Sequence, residues 1–393
     1  MAKKQKVTLS LLLMNLFIAF LGIGLVIPVL PTLMNELSIN GKVVGYLTAA
    51  FALTQLIVSP FAGKAVDRFG RKIMIVLGLF IFGFSEFLFG LGKTVEVLFI
   101  SRILGGVSAA FIMPAVTAFI ADITTLETRP KALGYMSAAI STGFIIGPGI
   151  GGFLADIGIR VPFYAAGVLG VVAAILSQIL LKEPERLQEP DQELETTGGN
   201  SLRKILLPKF LIAFIVIFVA SFGLAAFESF FALFVDHKFA FTPADIAIAI
   251  TGGAIIGALC QVLLFDRLMK GLGEINLVRI SLILSAVLVL AVTVVSSYWM
   301  IMLVMFTVFI GFDLIRPAAT TYLSRIAGND QGFVGGMNSF FTSLANVLGP
   351  IIGGIMFDID INYPFYFGTV VIIVGLVIAM MWKDPAAKKL MNH

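Results

Sequence analysis

Apolar runs of about twenty residues recur along the whole sequence, separated by short polar stretches. A helix rises about 1.5 Å per residue, so a run of that length crosses the roughly 30 Å hydrocarbon core of a bilayer. Twelve runs can be drawn, at 10–34, 43–63, 73–92, 97–121, 132–155, 161–181, 210–235, 246–265, 277–297, 299–323, 333–357 and 363–382. A membrane β-strand would alternate apolar and polar over about ten residues. These runs do not alternate, so the expected class is an all-α polytopic membrane protein. The first run is too long for a signal peptide, and no small-residue cleavage site follows it. Of the 393 residues, 59% are hydrophobic and 13% charged, where a soluble domain has roughly 45–50% and about 25%. That balance excludes a soluble enzyme, a nucleic-acid binder and a disordered chain. One cysteine, Cys260, and two histidines, His237 and His393, leave no disulfide and too few ligands for zinc or haem. No metal or other cofactor is expected.

An even number of spans puts both termini on one side. With the amino terminus inside, the outer loops hold only Lys42, Lys93, Arg160 and Lys238; nearly all the other Lys and Arg fall inside. The positive-inside rule then places both termini in the cytoplasm. The basic pI of about 9.1 follows from this topology and implies no nucleic-acid partner. Residues 182–209 are acidic, bear Pro and Gly, and lack apolar periodicity, which reads as a flexible linker. It divides the chain into a six-span half, 1–181, and a second, 210–393.

The halves repeat. Gly147-Pro148-x-Ile150-Gly151-Gly152 returns as Gly349-Pro350-x-Ile352-Gly353-Gly354, and the match runs on through Asp156/Asp358 and Pro162-Phe163-Tyr164/Pro364-Phe365-Tyr366. Asp67-Arg68 returns as Asp266-Arg267, and Pro114-Ala-Val-Thr117 as Pro317-Ala-Ala-Thr320. Two parallel six-helix halves are a transporter architecture, with substrate held between them near the midplane and access alternating by rocking.

Three motifs stand out. Gly63-Lys-Ala-Val-Asp67-Arg68-Phe-Gly70-Arg71-Lys72 fills the loop between spans 2 and 3. It is either a plain basic topology signal or a latch in which Asp67 caps a helix or pairs with a base in one conformation. The second-half copy has no glycine at the place of Gly70, which predicts a latch in the first half only. Span 5 carries Gly143-x-x-x-Gly147-Pro148-x-x-Gly151-Gly152. Small residues at these spacings let helices approach closely, and the proline bends the helix, as plain packing or as a hinge. Span 1 ends in Pro28 and Pro31, which should kink it.

This motif set, with Arg102 in span 4, resembles that of the twelve-span drug:proton antiporters of the major facilitator superfamily. The runs FLGIGLVIPVLP, SRILGGVSAAFIMPAVTAFIADIT, GYMSAAISTGFIIGPGIGG and GFDLIRPA look like those of the Bmr/NorA-type multidrug efflux pumps. The resemblance covers essentially the whole chain and implies the major facilitator fold.

Charges within spans are costly, at least ~2.5–3.5 kcal/mol each if unpaired, so each is a functional candidate. They are Glu86, Arg102, Glu228, Asp313 and Arg316. Glu228 has aromatic neighbours and no base within a turn, which suits either a proton carrier or a protonated helix–helix bond. Asp313 and Arg316 share a face at i, i+3. They form either a local ion pair or a switch in which Asp313 exchanges Arg316, a proton and a cationic substrate. The resemblance implies that Glu228 and Asp313 serve proton coupling and cation recognition, and that Arg102 takes part in proton transfer. Glu86 reads as structural, and Asp122 as a gate or cap at the inner end of span 4. Aromatic faces beside acids bind lipophilic cations without strict geometry. Candidate lining residues are Phe20, Met113, Phe144 and Phe309, with Phe227 and Phe231, and the polar Gln55, Tyr135, Ser141, Asn338 and Asn346. No paired His or Ser–His set lies in the spans, which argues against an enzyme. The expected protein is a monomeric, lipid-embedded bacterial plasma-membrane antiporter that exports lipophilic cations in exchange for protons. A specific exporter of a metabolite such as a polyamine is the alternative.

Overall fold

The computed structural model describes residues 3–125, 127–184, 207–327 and 331–382. The expected linker at 182–209 therefore lies outside the described residues except at its two ends. The described chain is helical, without a strand. Its elements are α1 (Lys3–Val26), a 3-10 turn (Ile27–Val29), α2 (Leu30–Leu37), α3 (Gly41–Phe69), α4 (Arg71–Leu91), α5 (Val95–Ile123), α6 (Arg129–Ala155), α7 (Val161–Leu180), α8 (Pro208–Phe239), α9 (Pro243–Val294), α10 (Tyr298–Ala327), α11 (Gln331–Ile359) and α12 (Tyr363–Met380). Counting Gln5–Leu37 as one, eleven helices among the described residues are long and apolar enough to cross a membrane.

Local chemistry sets the breaks. Pro28 and Pro31 interrupt the amide ladder, and span 1 passes through the 3-10 turn before α2 resumes. Asn40 caps α3 by accepting the Val43 amide at 3.0 Å. Thr242 and Asp245 bond reciprocally at the start of α9. α9 runs for 52 residues, about 78 Å at helical rise, too long for one crossing. Gly273, at φ 74° and ψ 166°, breaks it into two arms.

The described residues form two compact units, one of 3–184 with 235–251, the other of 207–234 with 252–382. In the first, α6 lies against α1 along a ladder of glycines. A Cβ on Gly143 would stand 2.6 Å from the Phe17 carbonyl oxygen, one on Gly147 would stand 2.6 Å from that of Leu21, and one on Gly151 would overlap that of Leu25. Such backbone-to-backbone contact is how apolar helices associate where lipid gives no hydrophobic drive between them. Gly152 meets Pro243 and Ala247 of α9 in the same way. The span 5 motif is thus a packing seam in this unit. Its repeat is looser: a Cβ on Gly349 would sit 3.2 Å from Ala225 and Phe222.

The second unit is held by rings. Phe227, Phe231 and Phe234 of α8 are buried, with Phe365 of α12 edge-on to Phe227 and Phe234. Phe227 also stands edge-on to Phe309 of α10 at 6.5 Å. Edge-to-face pairs of this kind add about 0.5–1.5 kcal/mol beyond area burial.

Candidate transport site

Two carboxylates lie near each other in the second unit, on α8 and α10. Glu228 follows Phe227 on α8, and Asp313 lies one turn beyond Phe309 on α10. The Phe227–Phe309 contact joins the two helices between the acids, and the Asp313 charge is near enough to be felt at Glu228. Phe309 and Asp313 both press on the first arm of α9, where a Cβ on Gly253 or Gly257 would collide with them. Both acids are half-buried, and among the described residues no hydrogen bond or ion pair joins either to a partner. Arg316 is exposed and forms no ion pair with Asp313. Sharing a face at i, i+3 permits a pair, but these two side chains do not make one here. A pair of half-buried, mutually repelling acids beside aromatic edges is suited to hold a proton or an organic cation.

The first unit has an apolar recess lined by Phe20, Ile23, Phe51, Phe82, Gly105, Ser108, Ile112 and Met113. Phe20 and Met113 therefore come together. Phe51 and Phe82 were not singled out in the sequence, because their ring faces are assigned only once α3, α4 and α5 are packed. Gln55 and Phe144 are half-buried. Ser141 is exposed. Tyr135 is also exposed, with the Lys131 ammonium 5.9 Å from its ring centroid. Asn338 donates to Thr320 Oγ1 at 3.3 Å and leaves its own Oδ1 without a partner, while Asn346 is exposed. Phe309 is buried by its packing on α9. Arg102 lies against the Phe89 ring at 4.1 Å and 3.8 Å from the Glu86 carboxylate.

The loop between α3 and α4 forms a charged knot. Arg71 donates from Nε to Asp122 Oδ2 at 2.9 Å and from Nη1 to the Val66 carbonyl at 3.1 Å, and pairs with Asp67 at 3.3 Å. Gly70 makes the turn at φ 101°, a region costly for other residues. The cap on α4 comes from Glu183, 112 residues away from Arg71. Its two carboxylate oxygens accept the amides of Arg71 at 2.5 Å and Lys72 at 2.9 Å. An anion there answers both the unpaired amides and the helix dipole. Nothing local in the sequence signals this. Arg68 lies exposed near Phe69, and Gly63 faces open space.

The second unit carries a charged turn of its own, which the missing glycine at the place of Gly70 did not lead one to expect. Gly273, with positive φ, opens the second arm of α9, and Glu274 follows it as Arg71 follows Gly70. Glu274 pairs with Arg325 at 3.2 Å. Asp122 and Arg325 lie eight residues beyond the matching Pro114 and Pro317. The pair recurs with its charges reversed. It escapes alignment because the second loop is longer, so its glycine falls after the point where Asp266-Arg267 leads one to look.

Long apolar helices with carboxylates at membrane depth and a duplicated charged turn define a polytopic membrane transporter. A sequence profile described as Major Facilitator Superfamily matches residues 12–238 and 213–391. The chain belongs to the major facilitator superfamily, a family of transporters and not of enzymes. It is 66% identical to Multidrug resistance protein 1 of Bacillus subtilis (strain 168), covering 98% of this chain and 99% of the relative. It is 46% identical to Quinolone resistance protein NorA of Staphylococcus aureus (strain MRSA252), covering 95% and 96%. Among solved structures, a bacterial homologue of the human lysosomal transporter Spinster, inward-facing and occupied, superposes with a TM-score of 0.83 at 16% identity, over 97% of each chain. The nucleoside transporter NupG gives 0.78 at 15% identity, over 97% of this chain and 98% of its own. At such identities the likeness concerns the fold.

Proposed function

We propose that this protein is a multidrug exporter that trades lipophilic, mostly cationic compounds for protons by alternating access. The observation that carries this reading is the neighbouring pair Glu228 and Asp313, half-buried, without a basic partner and next in the chain or one turn from the packed rings Phe227 and Phe309. Two repelling acids are relieved either by a proton or by an organic cation, and that exclusivity is what antiport requires. The names of the relatives, Multidrug resistance protein 1 and Quinolone resistance protein NorA, support a broad drug spectrum. Phe20, Met113 and the recess around them supply an adaptable apolar wall, and Gln55, Tyr135, Ser141, Phe144, Phe309, Asn338 and Asn346 complete the substrate candidates. Arg102 and Arg316 complete the proton-coupling set, with protons the only coupling ion and no other cofactor.

The two arms of α9 count as two crossings in this reading, giving twelve in two six-span halves, 1–181 and 210–393, joined at 182–209. Both termini face the cytoplasm of a bacterial plasma membrane, and a single lipid-embedded chain suffices. One elementary charge moved through 100 mV yields about 2.3 kcal/mol, between one and two decades of drug gradient at about 1.4 kcal/mol per decade.

The test uses purified protein in inverted vesicles with an acidic interior. Ethidium uptake is followed for wild type, Glu228→Gln and Asp313→Asn. Uptake that depends on the pH gradient and is lost in either variant supports antiport through this pair. Uptake that persists in both moves coupling elsewhere. No ethidium movement by folded wild type, with movement of spermidine, replaces the multidrug reading with polyamine export.

A further inference from the structure

A third membrane-embedded acid is left without a task by the reading above. Glu86 of α4 is 3% exposed. The charged group facing it is Arg102 of α5, but their approach is 3.8 Å, beyond hydrogen-bond reach. Glu86 Oε2 and both Nε and Nη2 of Arg102 are buried and unpartnered. The neighbouring hydroxyls are spent elsewhere: Ser85 donates to the Phe82 carbonyl and Ser101 to that of Ser85. The other elements packed on α4 bring no second charge to the pair. Arg160, before α7, is bound to the Gly90 and Gly92 carbonyls and to Glu36, and the Tyr164 hydroxyl to Gly90. On α3, Lys42 lies over Tyr46, and α1 carries cations only at its first turn. Glu96, at the start of α5, is exposed.

A static buried ion pair is favourable only when its remaining hydrogen bonds are also made. Here several are not made within the protein, which leaves the Glu86 carboxylate open to a proton. Its position gives that proton a use. Gly105, one turn along α5 from Arg102, lines the apolar recess, and a Cβ there would touch Phe51 and lie 3.6 Å from Ser85 Oγ.

We propose that Glu86 is a proton-binding residue of the first half, and that its protonation switches Arg102 from ion pair to uncompensated cation beside the recess. The proton adds to a carboxylate oxygen of Glu86, and the pair passes from net zero to +1, carried by Arg102. A cationic drug entering the recess disfavours that +1, so the proton leaves and the neutral pair re-forms. Drug and proton thus exclude each other at a second place, apart from Glu228 and Asp313. This rests on the antiport reading above and extends it to the first half.

The test counts protons released when ethidium binds purified, detergent-solubilised protein in weak buffer, across the acid-to-alkaline range in which carboxyls and their buried counterparts titrate. Glu86→Gln is expected to bind ethidium and to release about one proton fewer per ethidium than wild type at its most responsive pH. Glu86→Asp should restore the release. Equal release by wild type and Glu86→Gln across the range overturns the proposal and leaves the pair static or water-bridged. If Glu86→Gln does not fold, ethidium-induced infrared spectra of wild type and Glu86→Asp decide. A protonated-carboxyl band lost on binding and displaced in Glu86→Asp supports the proposal, and identical spectra refute it. Wild type that releases no proton at any pH, and transports no ethidium, defeats the antiport reading itself.

Discussion

Replacing Gly147 by alanine tests the α1–α6 seam most directly. Its Cβ would stand 2.6 Å from the Leu21 carbonyl oxygen and 2.8 Å from Gly24 Cα, both backbone, where ordinary contact begins at 3.4 Å. The helices must therefore part by about 0.8 Å near this point. A gap of that size forfeits a quarter to a half of each dispersion contact, and some twenty opened pairs at ~0.1–0.2 kcal/mol each cost about 1 kcal/mol. Residual overpacking brings the total to about 2 kcal/mol. The repeat supplies the control. A Cβ on Gly349 would sit at 3.2 Å from the Ala225 methyl and from backbone atoms of Phe222 and Ala226, a shortfall of about 0.2 Å, roughly a quarter of that at Gly147. Any gain from alanine's helix propensity applies to both sites, so the difference between them is the quantity predicted: about 2 kcal/mol, or roughly 30-fold in an equilibrium. Thermal unfolding of the two purified variants should show Gly147→Ala melting several degrees below Gly349→Ala, with ethidium export falling in the same order. Equal melting would mean that the seam yields without cost and that the close approach has no energetic consequence.

Other outcomes follow from the charged turns and the rings. Glu183→Gln should loosen the first turn of α4, raising amide exchange at Arg71 and Lys72 about fivefold for a loss near 1 kcal/mol; unchanged exchange would remove the cap. Asp122→Asn, whose pair is mostly buried, should cost about 2 kcal/mol of thermal stability, and Glu274→Gln, with an Arg325 side chain 40% exposed, about 0.5 kcal/mol. Equal losses would contradict the burial argument. Phe309→Ala should lower stability by about 3 kcal/mol and so reduce abundance, whereas Met113→Ala should weaken ethidium binding in protein of near-normal stability. The reverse pattern in binding and melting assays would reassign both residues.

Much of the fold was legible because membrane helices announce themselves by length alone, and because Gly147-Pro148 and Gly349-Pro350 give away the duplication. The acids at membrane depth were equally visible, since each stands out against an apolar run. Contacts between distant segments were not. Glu183 reads as one acid among several at the start of a polar stretch, and only folding brings it to α4. Asp313 and Arg316 invite pairing by their spacing, yet rotamers decide whether a tip reaches its neighbour, and spacing does not encode rotamers. Phe51 and Phe82 were hidden among 36 phenylalanines, where type carries no information about direction.

The opposite polarity of Arg71–Asp122 and Glu274–Arg325 bears on how the two halves diverged. If both descend from one ancestral turn, two substitutions were needed, and the lineage passed through a form with like charges or a lone charge. Where Arg71 sits, with its side chain 11% exposed, such an intermediate would strand a buried ion. At Arg325, open to water, the same step costs under about 1 kcal/mol. The turn that ends at Arg325 is therefore the one at which a change of sign is cheap, and the turn built on Arg71 is the one at which it is costly.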